Sequence, residues 1–524
     1  MKIKTLRIQN FRSVSDLTLE LGSLSALIGP NSVGKSNILK AIDLVLGEGW
    51  TTKAKVARGL FGDPSKRIII DVTFQEPIQY VNRAGYQVSV TSVRLTMAIE
   101  PELDVKTTIN GGQTFYGQDE FKRNCHFIYI PSERNLAREL TVSHWSMLGK
   151  LMRLVYENYV SSYQGGEQAL KDEFSKKIGP AKEFLENDFS GDQVTYKKFV
   201  GTFQKYCQEN SAGLANEFNP VLNIYNLNWF YKTLQINIKE DYPDRHFDSE
   251  EVGAGMQNLL LISIFQTYAE LMGGKVIFGL EEPEIYLYPQ AQRALYKNLI
   301  RLADNTQIIY STHNPNFVDA GRPQDILSLR KDVQKGTYIL QKDPRFSPSE
   351  AVKSWHRIYT NFNPERNEVF FARKVLLVEG ESDKILFTTL CESKWDIDLD
   401  KNGISIIECG GKGGIVYFLG VCKLLGCDEY FAVWDKDGGL DNPSLLEDAL
   451  TNKKGLELEP DLEGALGLPS GNDSEKVKNA YGWASDTEKT VPDTLEIVRQ
   501  FLTSNHAIDD QSVRAPIEEE DIPF

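Results

Sequence analysis

Gly29-Pro30-Asn31-Ser32-Val33-Gly34-Lys35-Ser36 decides how this chain folds. The octet fits GxxxxGK[ST]. An apolar run, Leu24–Ile28, precedes it, and Ile38, Leu39, Ile42, Val45 and Leu46 follow at helical spacing. A buried strand, a glycine loop and an amphipathic helix make the context in which such an octet binds phosphate. The glycines let backbone N–H groups close around the phosphates, and the helix N-terminus adds partial positive charge. Asn31, Gly34, Lys35 and Ser36 are the candidate ATP contacts. Lys35 is expected to reach the β- and γ-phosphates and Ser36 to hold Mg²⁺.

Working outward, Ile3, Leu6 and Ile8, then Leu17, Leu19 and Leu21, alternate as strands do. Much further on, Val276–Leu280 reads as an apolar strand ending in Glu281-Glu282-Pro283-Glu284. Glu281 is expected to orient the Mg²⁺ shell and Glu282 to polarise the attacking water. Another strand, Gln307–Tyr310, closes on Ser311-Thr312-His313, where His313 can touch the γ-phosphate. Gly253-Ala254-Gly255-Met256-Gln257 opens a helix carrying Leu259, Leu260 and Ile264. Gly253 and Gly255 are expected to present that helix N-terminus to the ATP of a second subunit. Gln75, ending a strand Ile68–Phe74, is the candidate glutamine of a Q-loop.

The C-terminal half is acidic where the N-terminal half is glycine-rich. Lys374–Val378 is a buried-strand run ending in Glu379-Gly380-Glu381-Ser382-Asp383. Ile404–Ile407 runs into Cys409-Gly410-Gly411-Lys412-Gly413-Gly414, and Tyr430–Trp434 ends in Asp435-Lys436-Asp437-Gly438. Three strands thus deliver carboxylates and glycine turns to one sheet edge, where parallel αβ sheets place their sites. Crowded carboxylates repel and call for divalent cations. All-oxygen ligands favour Mg²⁺ or Mn²⁺, and a pair of such ions can activate water for phosphodiester cleavage.

Composition narrows the classes. The 524 residues suggest roughly three domains at about 150 residues each. Lys plus Arg number 58 against 73 Asp plus Glu, a net charge of −15, which excludes a broadly basic nucleic-acid coat. DNA contact must come from a local basic groove or from metals. No apolar run reaches about 18 residues, so no membrane span is expected, and the start MKIKTLRIQNFRS has no apolar signal core. Cys125, Cys207, Cys391, Cys409, Cys422 and Cys427 form no CxxC pair and read as reduced thiols of a cytoplasmic protein. The histidines form no HExxH, which argues against a zinc hydrolase.

The order of phosphate loop, signature, acidic strand end and switch histidine resembles an ABC-type P-loop ATPase head of the DNA-repair kind. EGESD and DKDG resemble a Toprim (Rossmann-like) domain. Together with Asn10–Ser13 (NFRS), Pro131–Arg134 (PSER), GAGMQ, EEPE, STHNP and FFARKVLLVEG, the chain resembles the OLD (overcoming lysogenization defect) family. The resemblance implies an α/β ATP-binding and ATP-hydrolysing, metal-dependent DNA endonuclease, often serving antiviral defence and dimerising through the head and insertion. It implies metal ligands at Glu379, Asp383, Asp435, Asp437 and, in Asp461-Leu462-Glu463-Gly464, Glu463. It implies a lysine near the scissile phosphate, Lys476 or alternatively Lys478. Glu281 replaces the usual Asp of ABC heads, Tyr288 the usual His, and Met256 departs from LSGGQ; these bear on hydrolysis rate more than on binding.

On this reading residues 1–150 and 219–330 form the ATPase head, 151–218 a helical insertion, 331–370 a connector, 371–505 the Toprim nuclease domain and 506–524 a disordered acidic tail. A homodimer or higher oligomer and an accessory defence protein are the expected protein partners. The tail, ending Glu518-Glu519-Glu520-Asp521-Ile522-Pro523-Phe524, resembles the tip of bacterial single-stranded DNA-binding proteins. It is expected to dock on readers of that tip or to cover the enzyme's own DNA groove. The other reading of the whole is an ATP-gated DNA sensor or clamp without nuclease activity. Neither the tyrosine domain of a topoisomerase nor the zinc ribbon of a primase is recognisable.

Overall fold

The computed structural model describes residues 1–133, 135–141, 143, 146–187, 200–204, 234, 236–239, 246–248, 251–340, 346, 349, 352–353, 364–436, 444–469 and 471–504. Asp437, Arg134, the acidic tail and much of the proposed insertion lie outside these residues. The chain divides into two compact units: Met1–Tyr129, Ile277–Glu284 and Pro289–Phe524 form one, Ile130–Val276 and Ile285–Tyr288 the other.

The strands up to residue 340 are β1 (Ile3–Phe11), β2 (Val14–Glu20), β3 (Leu24–Ile28), β4 (Ile68–Val81), β5 (Gln87–Ala98), β6 (Asp104–Ile109), β7 (Gln113–Thr114), β8 (His126–Ile130), β9 (Asn237–Lys239), β10 (His246–Asp248), β11 (Val276–Glu281), β12 (Gln307–Ser311), β13 (Ile326–Asp332) and β14 (Gly336–Ile339). All but β9 and β10, which pair with each other, belong to one sheet of order β7-β6-β5-β4-β1-β2-β14-β13-β3-β12-β11-β8. The strand chemistry divides this sheet. β3, β11 and β12 are buried at every position and pair in parallel, whereas β1 and β2 alternate buried and exposed residues and pair antiparallel. Strands covered on both faces need apolar residues throughout; half-covered strands need only every second one.

Against the sheet lies the helix Lys35–Leu46, whose Ile38, Leu39, Ile42, Val45 and Leu46 are buried with Ile8, Phe11, Ile70 and Leu95. That packing seats the helix directly behind the phosphate loop. A buried carboxamide joins the antiparallel lobe to the parallel core. Gln307, at the start of β12, accepts from Ile3 N–H at 2.7 Å and donates to Ile3 O at 2.8 Å and Gly22 O at 2.8 Å. Ser13, at the opposite end of β1, meets Thr337 of β14 at 2.8 Å.

The second sheet contains β15 (Lys374–Val378), β16 (Ile404–Glu408), β17 (Tyr430–Asp435) and β18 (Gly455–Leu458) in the order β16-β15-β17-β18, all parallel. The fourth strand goes beyond the three legible in the sequence. It is short and opens on a glycine, so its signal is weak. Gly455 is needed there because a Cβ would sit 2.6 Å from the Trp434 ring of the neighbouring strand. Helices Glu381–Leu390 and Lys412–Leu424 follow β15 and β16 as in a doubly wound sheet.

In the other unit the helices Met147–Ser162, Gly166–Asn187 and Ala254–Leu271 predominate. The last buries Leu261, Ile262, Ile264, Phe265 and Tyr268. Among the described residues no helix is long and apolar enough to cross a membrane.

Gln307→Ala would leave the buried N–H and carbonyl of Ile3, and the exposed Gly22 carbonyl, without this partner, a loss on the order of 2 kcal/mol. Gln307→Glu would turn the amide donor toward two carbonyl oxygens into a further acceptor and should be worse. Thermal denaturation should show both variants melting below the parent protein, with amide exchange accelerated first at Ile3.

Candidate functional site: a phosphate pocket and an acidic sheet edge

β3, β12 and β11 end at one edge, and a cavity of about 370 Å³ opens there. Its lining includes Asn31, Gly34, Lys35, Ser36, Glu282 and His313. The loop conformation depends on two glycines. Gly29 has φ +143° and Gly34 φ +105°. A Cβ on Gly29 would lie 2.4 Å from Leu329 O, and one on Gly34 2.6 Å from Thr337 Oγ1. Thr337 Oγ1 in turn donates to Val33 O at 2.7 Å, and Asn37 Nδ2 donates to Ser13 Oγ at 2.9 Å. The phosphate loop is therefore braced by β14 and the β1–β2 turn.

Lys35 Nζ donates to Gly29 O and Pro30 O, both at 3.0 Å. Burial pulls its ammonium down to about 8, against the charges of Glu282 and Glu281. Glu281 is buried and accepts from Tyr129 O–H at 2.8 Å. Glu282 sits at φ +42°, a strained setting for a side chain of this size, and its N–H donates to Ser311 O at 2.9 Å. His313 Nε2 is 4.0 Å from Glu282 Oε1. Burial and Lys35 keep the imidazole below its ordinary value despite Glu282, so it stays neutral at pH 7.

Gln75 is not part of this pocket. β4 runs on past Phe74 to Val81, and the Gln75 N–H pairs with Lys2 O at 2.8 Å, beside the Ile3 end of β1. That end lies with Gln307 and Gly22 at the starts of β12 and β3, opposite the phosphate loop. The strand-end reading failed because the exposed Gln75, Glu76 and Pro77 look like a loop but fall within a bulged stretch of β4. Gly253 caps the helix Ala254–Leu271 in the other unit and Gly255 lies in its first turn. Ser13 belongs to the NFRS run, but it was not read as a pocket residue, and Lys331 and Tyr129 were not singled out from sequence. Tyr129 and Lys331 stand far along the chain from the phosphate loop, and only the sheet order makes them neighbours of the pocket residues.

The acidic edge is built in the same way. Glu379 follows β15, Asp435 ends β17, and Glu463 lies just beyond β18 in the helix Leu462–Leu466. Glu379 Oε1 accepts from Asp435 N–H at 3.2 Å, and Asp435 Oδ1 from Leu462 N–H at 2.9 Å. Asp383 is buried and also caps its helix, accepting from Gly380 N–H at 2.9 Å. Burial, with the charges of Asp435 and Glu379 adding, pushes its carboxyl up to about 7 against that hydrogen bond. Lys476 Nζ stands 3.3 Å from Glu463 Oε1, while Lys478 is exposed. Burial opposes the Lys476 charge, but Glu463 outweighs it and raises the group above its ordinary value. Lys412, unmarked in the sequence reading, donates to Asp435 O at 3.0 Å.

The donor set is all oxygen, and its electrostatic crowding suits hard divalent cations. Among the described residues no three His, Cys, Asp or Glu side chains form a ready-made metal cluster. Glu379 and Asp435 are held by backbone amides and Glu463 by Lys476, so each has a partner that a cation would have to share or replace.

A phosphate-loop ATPase head joined to a parallel acidic sheet defines the class. A family model described as an AAA ATPase domain matches residues 1–124 and 105–318, and one described as the TOPRIM domain of overcoming lysogenization defect-like proteins matches 370–437. The chain is 30% identical to the OLD nuclease of Thermus scotoductus over 89% of its length and 92% of the relative's. It is 21% identical to the Old nuclease of Escherichia phage P2, over 81% and 76% of the two chains. It is 24% identical to the endonuclease GajA of Bacillus cereus strain VD045, over 78% and 71%. The chain belongs to the OLD nuclease family: it is a nuclease with an ATPase head and a Toprim domain, and it uses nucleotide and divalent metal.

Glu284, the last acid of the EEPE run, is buried and accepts a hydrogen bond from the Thr312 hydroxyl, while its Oε2 has no hydrogen-bond partner among the described residues. Burial pushes its carboxyl up to about 7, with Glu282 adding and the Thr312 bond opposing. The folded protein therefore holds this proton where the unfolded chain releases it, and stability falls as pH rises from about 4.5 to about 7. Glu284→Gln keeps an acceptor for Thr312 and removes the titration. In denaturation across that range, the variant should gain on the parent protein with rising pH and match it most closely in acid.

Proposed function

We propose that this protein is a cytoplasmic, ATP-regulated DNA endonuclease that uses Mg²⁺ or Mn²⁺ at both sites and acts as a homodimer or larger assembly in antiviral defence. The observation that carries the reading is that Glu379, Asp383 and Asp435 lie at one sheet edge, where burial first, and then the charges of Asp435 and Glu379, push the Asp383 carboxyl up. Carboxylates that destabilise one another without a cation are arranged for one.

Glu379, Asp383, Asp435, Asp437 and Glu463 would hold the divalent ions, which when bound supply an activated water and neutralise phosphate charge. The chain's own part is positional. Gly410 N–H and Gly411 N–H fix the Glu379 carbonyl at 3.0 and 2.8 Å. Asp383 is locked by the first turn of its helix. Lys476, paired with Glu463 at 3.3 Å, would meet a phosphate oxygen where Glu463 holds metal, with Lys478 as the alternative. In the head, Lys35 and Ser36 would meet the phosphates and their Mg²⁺, while Glu282 orients water and His313 faces the γ-phosphate. Gly253 and Gly255 would serve the ATP of a second copy, which is why a dimer is proposed. Family membership supports the defence role.

Supercoiled plasmid with Mg²⁺ or Mn²⁺ tests the reading. The parent protein should nick it, EDTA should stop the reaction, and Glu379→Ala or Asp435→Ala should abolish nicking while ATP binding persists. Nicking that survives EDTA would falsify the metal mechanism. In EDTA, Glu379→Gln, which keeps the acceptor for Asp435 N–H, should melt above the parent protein and gain less on adding Mn²⁺.

In the head, Lys35→Ala should lose ATP binding. Glu282→Gln should bind ATP and hydrolyse it slowly. Normal turnover by Glu282→Gln would remove that carboxylate from the reaction, and a monomer with full ATPase activity by light scattering would remove the shared site.

A further inference from the structure

Short covalent segments and buried or part-buried hydrogen bonds link the loop after His313 to the acidic edge. His313 lines the phosphate pocket, and the chain then turns through Pro315, Val318 and Ala320. Asn367, 3% exposed, spends its whole carboxamide on this loop: Nδ2 donates to Pro315 O at 2.8 Å and Val318 O at 3.0 Å, and Oδ1 accepts from Ala320 N–H at 3.1 Å. The other face of Ala320 is also taken, because the buried Tyr417 hydroxyl donates to Ala320 O.

Both partners lead to the acidic edge. Arg366, next to Asn367 and fully buried, pairs with Glu408 at 2.6 Å. Glu408 ends β16, and the amides of Gly410 and Gly411 just beyond it hold the carbonyl of Glu379. Tyr417 lies on the helix Lys412–Leu424, which starts immediately after those glycines and whose Lys412 touches Asp435 O.

We infer that Asn367 and Tyr417 are positioning residues that couple the loop 313–320 to the placement of Glu379, so that nucleotide at the head sets the geometry of the nuclease site. Buried polar groups make such a joint stiff. Letting go of one carbonyl or amide in this setting leaves a buried polar group without its partner, so a displaced loop drags its partners along. Nucleotide binding changes the charge facing His313 and Lys35, which supplies the differential interaction that a coupled shift requires. The coupling is reciprocal: metal or DNA at the acidic edge changes nucleotide affinity by the same factor. The inference rests on the reading of the acidic edge as the cutting site, but its structural half can be read without any cutting.

The test compares the full-length parent protein with Tyr417→Phe, which deletes one hydroxyl, and with Asn367→Asp, which removes the two amide donors. Amide exchange over residues 404–414 is followed with and without a non-hydrolysable ATP analogue, and plasmid nicking with Mn²⁺ under the same conditions. In the parent protein the analogue should change exchange at Gly410 and Gly411 and change the nicking rate about fivefold or more, the range of ordinary coupling energies. Tyr417→Phe should hydrolyse ATP and nick DNA without nucleotide as the parent does, yet lose the nucleotide effect on both readouts; Asn367→Asp, if it folds, should do the same. A merely structural role would lower melting temperature and leave the ratio with and without nucleotide intact, and that outcome overturns the inference. So does a parent protein whose exchange at 404–414 ignores the analogue. A protein that cuts no DNA but shows the exchange response, lost in Tyr417→Phe, sinks the nuclease reading and leaves the coupling standing.

Discussion

Parallel pairing is the constraint on which both sites depend. A parallel strand can deliver a side chain to the C-terminal edge of its sheet only if its neighbours point the same way, and the return connection must then cross over the face. β3, β12 and β11 obey this in the head, and β16, β15, β17 and β18 obey it in the second sheet. The loop Gly29–Ser36, Glu282 and His313 therefore share one edge, and the carboxylates share another. The price is burial on both faces in the head, where β3, β11 and β12 are buried at every position and mostly apolar.

Those apolar strands also set the electrostatics. Asp383 and Glu284 both ionise late, in each case chiefly through burial, with a neighbouring carboxylate adding to it. Lys35 gives up its proton early for the same reason. Acids and a lysine placed in so dry a setting gain most from a ligand of opposite charge, because charge pairs are stronger where water is excluded. The hydrogen bonds from Tyr129 to Glu281, from Gly380 to Asp383 and from Leu462 to Asp435 hold the carboxylates in place meanwhile.

Side-chain amides serve as the rivets between layers. Gln307 joins β1 to the parallel core, and Asn367 joins the segment Pro364–Phe370 to the loop beyond His313. Asn10, at φ +56°, does the same for the turn at Asp63 and Lys66 with three hydrogen bonds of 2.7 to 2.8 Å. A carboxamide carries donors and an acceptor in one rigid plane, so it can satisfy several backbone groups from different segments at once without burying a charge.

What the sequence by itself determined is whatever depends on neighbours in the chain. The octet Gly29–Ser36 carries its own turn, helix start and lysine, and the EEPE, STHNP and EGESD runs each follow an apolar strand that announces them. The ATPase head and the Toprim domain were legible for that reason, as were the acids Glu379, Asp383 and Asp435. Tertiary structure decided whatever depends on which strands lie side by side. It sent Gln75 to the far end of the sheet, because β4 continues through its polar stretch. It added β18, whose glycine start makes sense only against Trp434. It brought Tyr129 to Glu281, 152 positions away, and Lys331 to the phosphate loop, and it set Asn367 against the loop beyond His313. Such contacts leave no local periodicity to read, since they arise from sheet order and layer packing, which are fixed only when the whole core closes.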